Sequence, residues 1–257
     1  MMSLAQGLLG AASGSLVGFS LGLVGGGGSI LAVPLMVYLV GVPNAHVAIG
    51  TSSLAVAASA AFSLMIHART GMVKWGCASV LAGAGVVGAA LGSVAGKMAD
   101  GQRLLMLFAL LMLVVAFLMR RRRDHDGNRS VQLSKTNAPL LAGLGFATGM
   151  LSGFFGIGGG FLIVPALVFA TDMPLVYAVS SSLVAVLAFG LTTATSYAIS
   201  GLVNWPLTAV FIAGGLAGGY AGVKSVHLLA NRRALLNDIF VAVISCVAVY
   251  MLIRGLM

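Results

Sequence analysis

Charged side chains are scarce in this sequence of 257 residues. They make up 7% of it, whereas a soluble domain carries about 25%. Glutamate is absent, and the acidic residues are Asp100, Asp124, Asp126, Asp172 and Asp238. So few charges cannot cover a surface in water, so the composition indicates a chain covered mostly by lipid. No aspartate is a convincing carboxylate in the middle of an apolar run, which argues against a carboxylate-based proton or sodium site.

Residue groupings typical of enzymes are missing as well. Cys77 and Cys246 lie in separate apolar segments and give neither a disulfide framework nor a metal-ligand spacing. His46 and His67 fall near segment ends, where we interpret them as interfacial residues. We find no spacing of a nucleophile and its base. We therefore expect no enzyme, no catalytic residue, no metal and no cofactor.

A net charge of +9 would suit a nucleic-acid partner. The Lys and Arg residues, however, sit in short loops between apolar runs, where such residues usually set the orientation of a membrane protein. We therefore expect no nucleic-acid partner and a lipid bilayer as the surroundings.

The chain divides into ten apolar segments, which predict an all-α, multi-pass membrane protein. Eight are about long enough to cross a bilayer, which takes about 20 apolar residues. The first of them lacks a basic leader region and a cleavage site, so we expect it to be retained. The eight are Leu4–Leu23, Asn44–Ala68, Trp75–Gly96, Arg103–Met119, Ala138–Phe155, Leu175–Ile199, Trp205–Val223 and Leu235–Ile253. Ser29–Val40 and Gly159–Ala170 are too short, since about 12 helical residues cover roughly 18 Å of a 30 Å core.

The second half of the sequence repeats the first at an offset near 130 residues. The glycine-rich stretch Gly22–Leu35 returns as Gly153–Ala166. Further matches keep their order: Pro43 with Pro174, Thr51-Ser52-Ser53-Leu54 with Ser180-Ser181-Ser182-Leu183, Gly71–Trp75 with Gly201–Trp205, and Arg103 with Arg233. We therefore predict two repeats of five helical segments, at residues 1–119 and 138–257, joined by a basic linker at residues 120–137.

Basic residues are distributed unevenly between the loops. If each short segment forms a glycine-rich hairpin with the segment before it, each half crosses the membrane an odd number of times. The two repeats are then inverted relative to each other. Eleven of the 14 Lys and Arg residues would lie on one side, leaving only Lys97, Arg103 and Arg254 opposite. This bias predicts that the linker is cytoplasmic and that both termini face outward.

The glycine runs Gly25–Ser29 and Gly156–Gly160 stand at matching positions in the two repeats. Interrupted short segments in inverted repeats are typical of a transport site. Glycine allows a sharp turn, and the helix that follows presents unpaired N–H donors and a partial positive charge. We therefore predict an anion site at the midplane. Its predicted backbone ligands are Gly25, Gly27, Gly28, Ser29, Gly156, Gly158, Gly159 and Gly160.

Hydroxyl side chains form the second part of the predicted site. Thr51, Ser52 and Ser53 lie in one long helix, and Ser180, Ser181 and Ser182 lie in its counterpart. Hydroxyl groups can donate to an oxyanion without adding charge. No Lys or Arg interrupts the middle of an apolar run, which fits a weak and reversible site. The alternative is that these hydroxyls bond to their own helix backbone.

Other glycines favour a packing role. Those of the fourth and ninth segments recur at the spacing of close helix contacts. They are Gly85, Gly88, Gly92, Gly96, Gly215, Gly218, Gly219 and Gly222. The four-glycine run differs, because it would break a helix and a proline follows within a few residues. A soluble dinucleotide-binding loop is excluded, since no βαβ unit surrounds either run.

The glycine motifs Gly26–Pro34 and Gly158–Pro165, each followed by a hydroxyl-rich helix, resemble the sulfite exporter TauE/SafE family, as does the Gly-x-Val-x-Trp pattern at Gly71 and Gly201. The resemblance covers nearly the whole chain. It implies a bacterial or archaeal transporter of the cytoplasmic membrane that carries small sulfur-containing anions such as sulfite, thiosulfate or sulfonates. Two positions depart from symmetry, because Ile157 stands in the place of Gly26 and Ser29 in that of Gly160.

The leading hypothesis is a secondary transporter, and by resemblance an exporter, for a small oxyanion. Alternating access between the inverted halves would expose the glycine-rich segments to each side in turn. The alternatives are a passive anion channel of the same fold and an importer of a sulfur-containing anion. A membrane enzyme or assembly factor is the least favoured class. The anion, any coupling ion and the oligomeric state stay open.

Overall fold

A computed structural model describes residues 3–121, 133–134, 136–158, 160–229 and 233–256. Within these ranges the regular structure is entirely helical, as the apolar segments predict. The helices are α1 (Leu4–Val24), α2 (Gly25–Leu39), α3 (Ala45–Arg69), α4 (Trp75–Met98), α5 (Gly101–Arg121), α6 (Ala138–Phe155), α7 (Gly160–Thr171), α8 (Leu175–Ile199), α9 (Trp205–Leu229) and α10 (Arg233–Leu256). Most of the predicted linker lies outside the described residues.

Side chains at the helix starts explain several of these boundaries. Asn44 Oδ1 accepts a hydrogen bond from His46 N at 2.9 Å, and Asp100 Oδ1 accepts one from Gln102 N at 3.0 Å. Each satisfies a backbone donor that the first helical turn leaves free. Gly71, with φ +69°, follows the end of α3 and turns the chain into α4.

Six helices in the described part of the chain are long and apolar enough to cross a membrane, namely α1, α3, α4, α6, α8 and α9. Helices α5 and α10 have 21 and 24 residues, which correspond to about 32 and 36 Å. These eight helices coincide in position with the eight long apolar segments of the sequence. Helix α7 has 12 residues and is short, as expected.

Helix α2 differs from the sequence expectation at its start. We expected the short segment to begin at Ser29, but the glycine run is itself helical, since Gly25–Leu31 forms a 3-10 helix. One α-turn follows, and Leu35–Leu39 is a π-helix. Pro34 ends the α-turn, and it cannot donate a backbone hydrogen bond. The reason for the early start is that glycines without side chains can pack tightly, as the contact of Gly28 with the end of α1 shows.

The two halves of the chain are interlocked. Helix α1 of the first half packs on α9 of the second, and α6 of the second packs on α4 of the first. In the repeat α1 corresponds to α6 and α4 corresponds to α9, so the two packed pairs are equivalent. Counterparts also pack directly, α3 on α8 and α5 on α10, and α4 packs on α8 as α9 packs on α3. The repeats are therefore not separate structural units.

Neighbouring residues fix the directions of the packed helices. Gly10, Gly14 and Gly18 of α1 adjoin Leu207, Phe211 and Gly215 of α9 in the same order, so these two helices run parallel. Helices α3 and α8 run antiparallel. Gly50, near the start of α3, adjoins Tyr197 near the end of α8, whereas His67, near the end of α3, meets Ser180 near the start of α8.

The packing role predicted for the glycines of α4 and α9 is confirmed. A methyl group built on Gly92 would overlap the carbonyl oxygen of Met150 in α6. One on Gly22 of α1 would lie 2.8 Å from the carbonyl oxygen of Gly219 in α9. The backbones of the paired helices are thus in direct contact, which is how helices associate where lipid provides no hydrophobic driving force.

We expect Gly92→Ala to destabilise the protein, because its methyl group must push α4 away from α6. Overpacking of this kind costs about 1–3 kcal/mol. Gly83→Ala in the same helix is the matched control, since nothing lies within 4 Å of its added methyl group. The thermal denaturation midpoint of detergent-solubilised protein should fall for Gly92→Ala and stay or rise for Gly83→Ala. Equal midpoints would contradict the packing role.

Candidate functional site

The two glycine-rich segments meet inside the helix bundle. A methyl group built on Gly26 would lie 2.5 Å from the Cα atom of Gly160, and one built on Gly160 would overlap the Gly26 carbonyl oxygen. The whole of Gly25–Leu31 is buried, as are Gly156, Gly158 and Gly160. The structure therefore brings the two predicted glycine elements into backbone contact, with both enclosed. Gly159 lies outside the described residues.

Helices α3 and α8 enclose the contact between the glycine segments. Val179 and Val186 of α8 lie against Gly25 and Gly26, and Ile49 of α3 lies against Gly156. Val56 and Val186 meet at one level, because a methyl group on Gly158 would lie 3.1 Å from the first and 3.4 Å from the second. That level marks the middle of the site.

Two glycines turn the chain at the ends of α1 and α6. Gly25 has φ +67° and Gly156 has φ +69°, values at which a side chain would be strained. After Gly156 the chain passes through Gly158, with φ +64°, and α7 begins at Gly160. After Gly25 it continues directly as a 3-10 helix. The helix start expected to follow the glycine run is thus present in the second half, whereas in the first half the run belongs to the helix.

Hydroxyl groups link each glycine segment to a helix of the other half. Ser53 Oγ donates to the carbonyl oxygen of Gly156 at 2.8 Å. Ser182 Oγ accepts from Gly26 N at 3.3 Å and donates to Val179 O at 2.7 Å. These groups, predicted as substrate ligands, are bonded to the protein in this closed arrangement.

Two further hydroxyls hold the loops that precede α4 and α9. Thr51 Oγ1 accepts from Asn204 N at 3.0 Å, and Ser181 Oγ accepts from Lys74 N at 2.9 Å. Both bonds cross between the halves. Sequence reasoning missed Asn204 and Lys74 as partners, although the repeated Gly-x-Val-x-Trp pattern contains both of them.

These bonds correct the alignment of the hydroxyl triplets by one residue. The sequence matched Thr51 with Ser180, but the shared role of binding the loop backbone pairs Thr51 with Ser181. Ser52 then corresponds to Ser182, and both donate to the carbonyl three residues earlier in their own helix. The sequence comparison aligned Leu54 with Leu183, the residues that follow the two triplets. This choice displaced the hydroxyl residues by one position.

The remaining predicted residues contribute contacts rather than cross-links. Ser29 Oγ donates to Gly26 O at 2.8 Å. Gly27 and Gly28 are buried within the 3-10 helix. Ser180 Oγ donates to Val176 O at 3.0 Å and lies 3.3 Å from His67 Nδ1.

The site offers uncharged hydrogen-bonding groups enclosed by apolar side chains. Ser53, Ser181 and Ser182 are fully buried. No group of three or more His, Cys, Asp or Glu side chains suited to a metal ion occurs among the described residues. Such an environment can strip water from a small solute and hold it by dipoles alone.

Comparison with known proteins agrees with this architecture. The sulfite exporter TauE/SafE family matches residues 10–251 of the chain. A probable membrane transporter protein of Xylella fastidiosa strain Temecula1 is 49% identical over 249 residues, covering 95% of this chain and 94% of that protein. The probable membrane transporter protein YdhB of Bacillus subtilis is 26% identical over 221 residues, covering 83% and 88% of the two chains.

A probable membrane transporter protein of Haemophilus influenzae is 30% identical, covering 74% of this chain and 73% of that protein. No solved structure gives a significant match. The family match extends from the second turn of α1 into α10 and so includes both glycine segments and the helices that enclose them. The chain therefore belongs to the sulfite exporter TauE/SafE family and is a membrane transporter.

Proposed function

We propose that this transporter carries a small oxyanion, such as sulfite, thiosulfate or an organosulfonate, by alternating access around the two glycine segments. The observation that carries the proposal is their meeting inside the bundle, with Gly26 against Gly160. Export is the favoured direction, because the family is named for a sulfite exporter. The alternative is that this protein imports a sulfur-containing anion.

The chemistry of the enclosed groups supports an anionic solute. Backbone N–H groups and hydroxyls donate hydrogen bonds without a fixed positive charge. A buried cation would be costly in lipid and would hold an anion tightly. A site built from dipoles binds more weakly, which suits a solute that must be released on the other side.

The closed contact favours a transporter over a passive channel. A continuous pore would require the glycine segments to stand apart, but in this conformation their backbones touch. We propose that the substrate separates them. Ser53 Oγ would then donate to the oxyanion instead of to Gly156 O. Gly26 N would donate to it instead of to Ser182 Oγ, and Ser182 Oγ instead of to Val179 O, so that no buried donor is left unpaired at either stage.

We further propose that the halves are inverted in the membrane, with the basic linker in the cytoplasm. The antiparallel packing of α3 on its counterpart α8 supports inversion. The loop from α3 to α4 would then lie on the side opposite to the loop from α8 to α9. The excess of Lys and Arg supports placing the first of these loops inside.

Gly160→Ala tests the contact between the glycine segments. Its methyl group overlaps the Gly26 carbonyl oxygen, so the closed conformation should be lost and anion exchange should fall at least tenfold. The measurement is counterflow in proteoliposomes with sulfite, thiosulfate, sulfate and methanesulfonate. Gly143→Ala in α6 is the control, since nothing lies within 4 Å of its added methyl group. Undiminished exchange by Gly160→Ala, at an equal amount in the membrane, would disprove this mechanism.

Ser53→Ala and Ser182→Ala test the hydroxyl ligands. Each removes one hydrogen bond to the oxyanion, worth about 1 kcal/mol, so the apparent half-saturating concentration should rise about fivefold. Ser245→Ala is the control, because Ser245 Oγ bonds to Val241 O of its own helix. An unchanged half-saturating concentration would reduce both serines to packing residues.

Thr70→Cys and Ser200→Cys test the inverted arrangement in a background without Cys77 and Cys246. Both positions are exposed and occupy equivalent loops of the two repeats. A membrane-impermeant thiol reagent added to intact cells should label Ser200→Cys, and it should label Thr70→Cys only after the cells are opened. Labelling of both from the same side would contradict inversion.

A further inference from the structure

Seven buried side-chain atoms in the described part of the chain have no hydrogen-bond partner. They are Ser13 Oγ, His46 Nδ1, Ser63 Oγ, His67 Nε2, Ser152 Oγ, Thr193 Oγ1 and Tyr197 OH. A buried polar atom without a partner is costly, so each one in a folded protein requires an explanation. Four of the seven follow a common pattern.

These four fall into two pairs that the repeat relates. Ser63 and His67 lie one turn apart on α3 (the α3 pair), and Thr193 and Tyr197 lie one turn apart on α8 (the α8 pair). The offset of 130 residues that relates Thr51 to Ser181 also relates the members of the two pairs. In each pair the two side chains share one face of the helix. The same positions thus carry unpaired polar atoms in both repeats.

The hydroxyl groups of Ser63 and Thr193 lack the hydrogen bond that serine and threonine usually form within a helix. Serine and threonine in helices commonly bond to the carbonyl four residues earlier. Thr192 does so, with Oγ1 donating to Ala188 O at 2.8 Å, whereas its neighbour Thr193 is without a partner. Ser63, Thr193 and Tyr197 are each 0% exposed, so bulk water does not satisfy them.

The positions of the pairs place them on opposite sides of the glycine segments. Val56 and Val186 lie at one level beside Gly158. Ser63 is seven residues beyond Val56, and Thr193 is seven residues beyond Val186, which is about 10 Å in each case. Because α3 and α8 run antiparallel, these displacements point in opposite directions. The pairs are therefore about 20 Å apart, with the glycine contact midway between them.

The surroundings of the α8 pair are suited to an anion. Lys97 Nζ lies 5.8 Å from the centroid of the Tyr197 ring and is held by Ser196 O at 3.1 Å and Ser200 Oγ at 3.0 Å. The His46 ring centroid lies 6.4 Å from that of Tyr197, and its Nδ1 atom is also unpaired. The ammonium group of Lys97 and the imidazole of His46 thus both lie near the Tyr197 ring.

We propose that the α3 pair and the α8 pair are two flanking binding stations for the transported oxyanion, one on each side of the glycine segments. This rests on the proposed anion transport. On its way from one face to the other, the solute is bound first by one pair, then by the glycine site, and then by the other pair. The hydroxyl, phenol and imidazole groups replace part of its water shell at each station.

Face-specific kinetics test the stations. Counterflow of radiolabelled thiosulfate, or of whichever of the four anions the wild-type protein exchanges, is measured in right-side-out and inside-out membrane vesicles. Tyr197→Phe and Thr193→Val should raise the half-saturating concentration about fivefold on the face of the α8–α9 loop only. Ser63→Ala and His67→Leu should do the same on the opposite face only, and His67→Gln, which keeps an N–H donor, should restore it.

The controls are Thr192→Val, Tyr220→Phe and Ser245→Ala, which should leave both faces unchanged. Thr192 and Ser245 bond to their own helices, and Tyr220 is 59% exposed. Removing an unpaired hydroxyl leaves no partner unsatisfied, so Tyr197→Phe and Thr193→Val should fold normally. Equal shifts on both faces, or none, would overturn the stations while leaving anion transport intact. A wild-type protein that exchanges none of the four anions would overturn both proposals.

Discussion

Lipid offers no hydrogen-bond partner to a polypeptide, and the rest of this structure depends on that constraint. The glycine segments break two helices inside the bundle, so their backbone groups must be satisfied by protein. Helices α3 and α8 enclose them, and Ser53 and Ser182 bond to the turns directly. These breaks between helices persist inside the bundle because a helix of the other half packs against each segment. The same groups that preserve the fold are those that we propose to bind the solute.

In the proposed mechanism, binding and release of the solute would have a common origin. The enclosed site contains dipoles rather than fixed charges, and the ammonium group of Lys97 lies at the end of α4, away from the glycine contact. On the proposed anion transport, attraction to the solute would be stronger near both faces, where Lys and Arg residues lie, and weaker at the centre. Such a gradient would admit a negative solute without trapping it.

Composition and repetition predicted much of the fold. The scarcity of charged residues indicated a chain surrounded by lipid. The constant offset between matching motifs indicated two halves of similar structure. The glycine packing followed from spacing alone. The exchange of helices between halves could not be predicted, because the repeat does not say whether α1 pairs with α4 or with its equivalent α9. The same limit applied to the site. Hydroxyl-rich segments were visible, but their bonds to Asn204 and Lys74 depend on which half encloses which loop.

The pairing of α1 with α9 and of α6 with α4 has a consequence for biogenesis. Helix α9, on which α1 packs, is synthesised near the end of the chain. During synthesis α1 therefore precedes its packing partner, with seven helices between them. A single repeat could bury its first helix in this way only against a second copy. One chain that contains both repeats supplies both partners of each helix pair together.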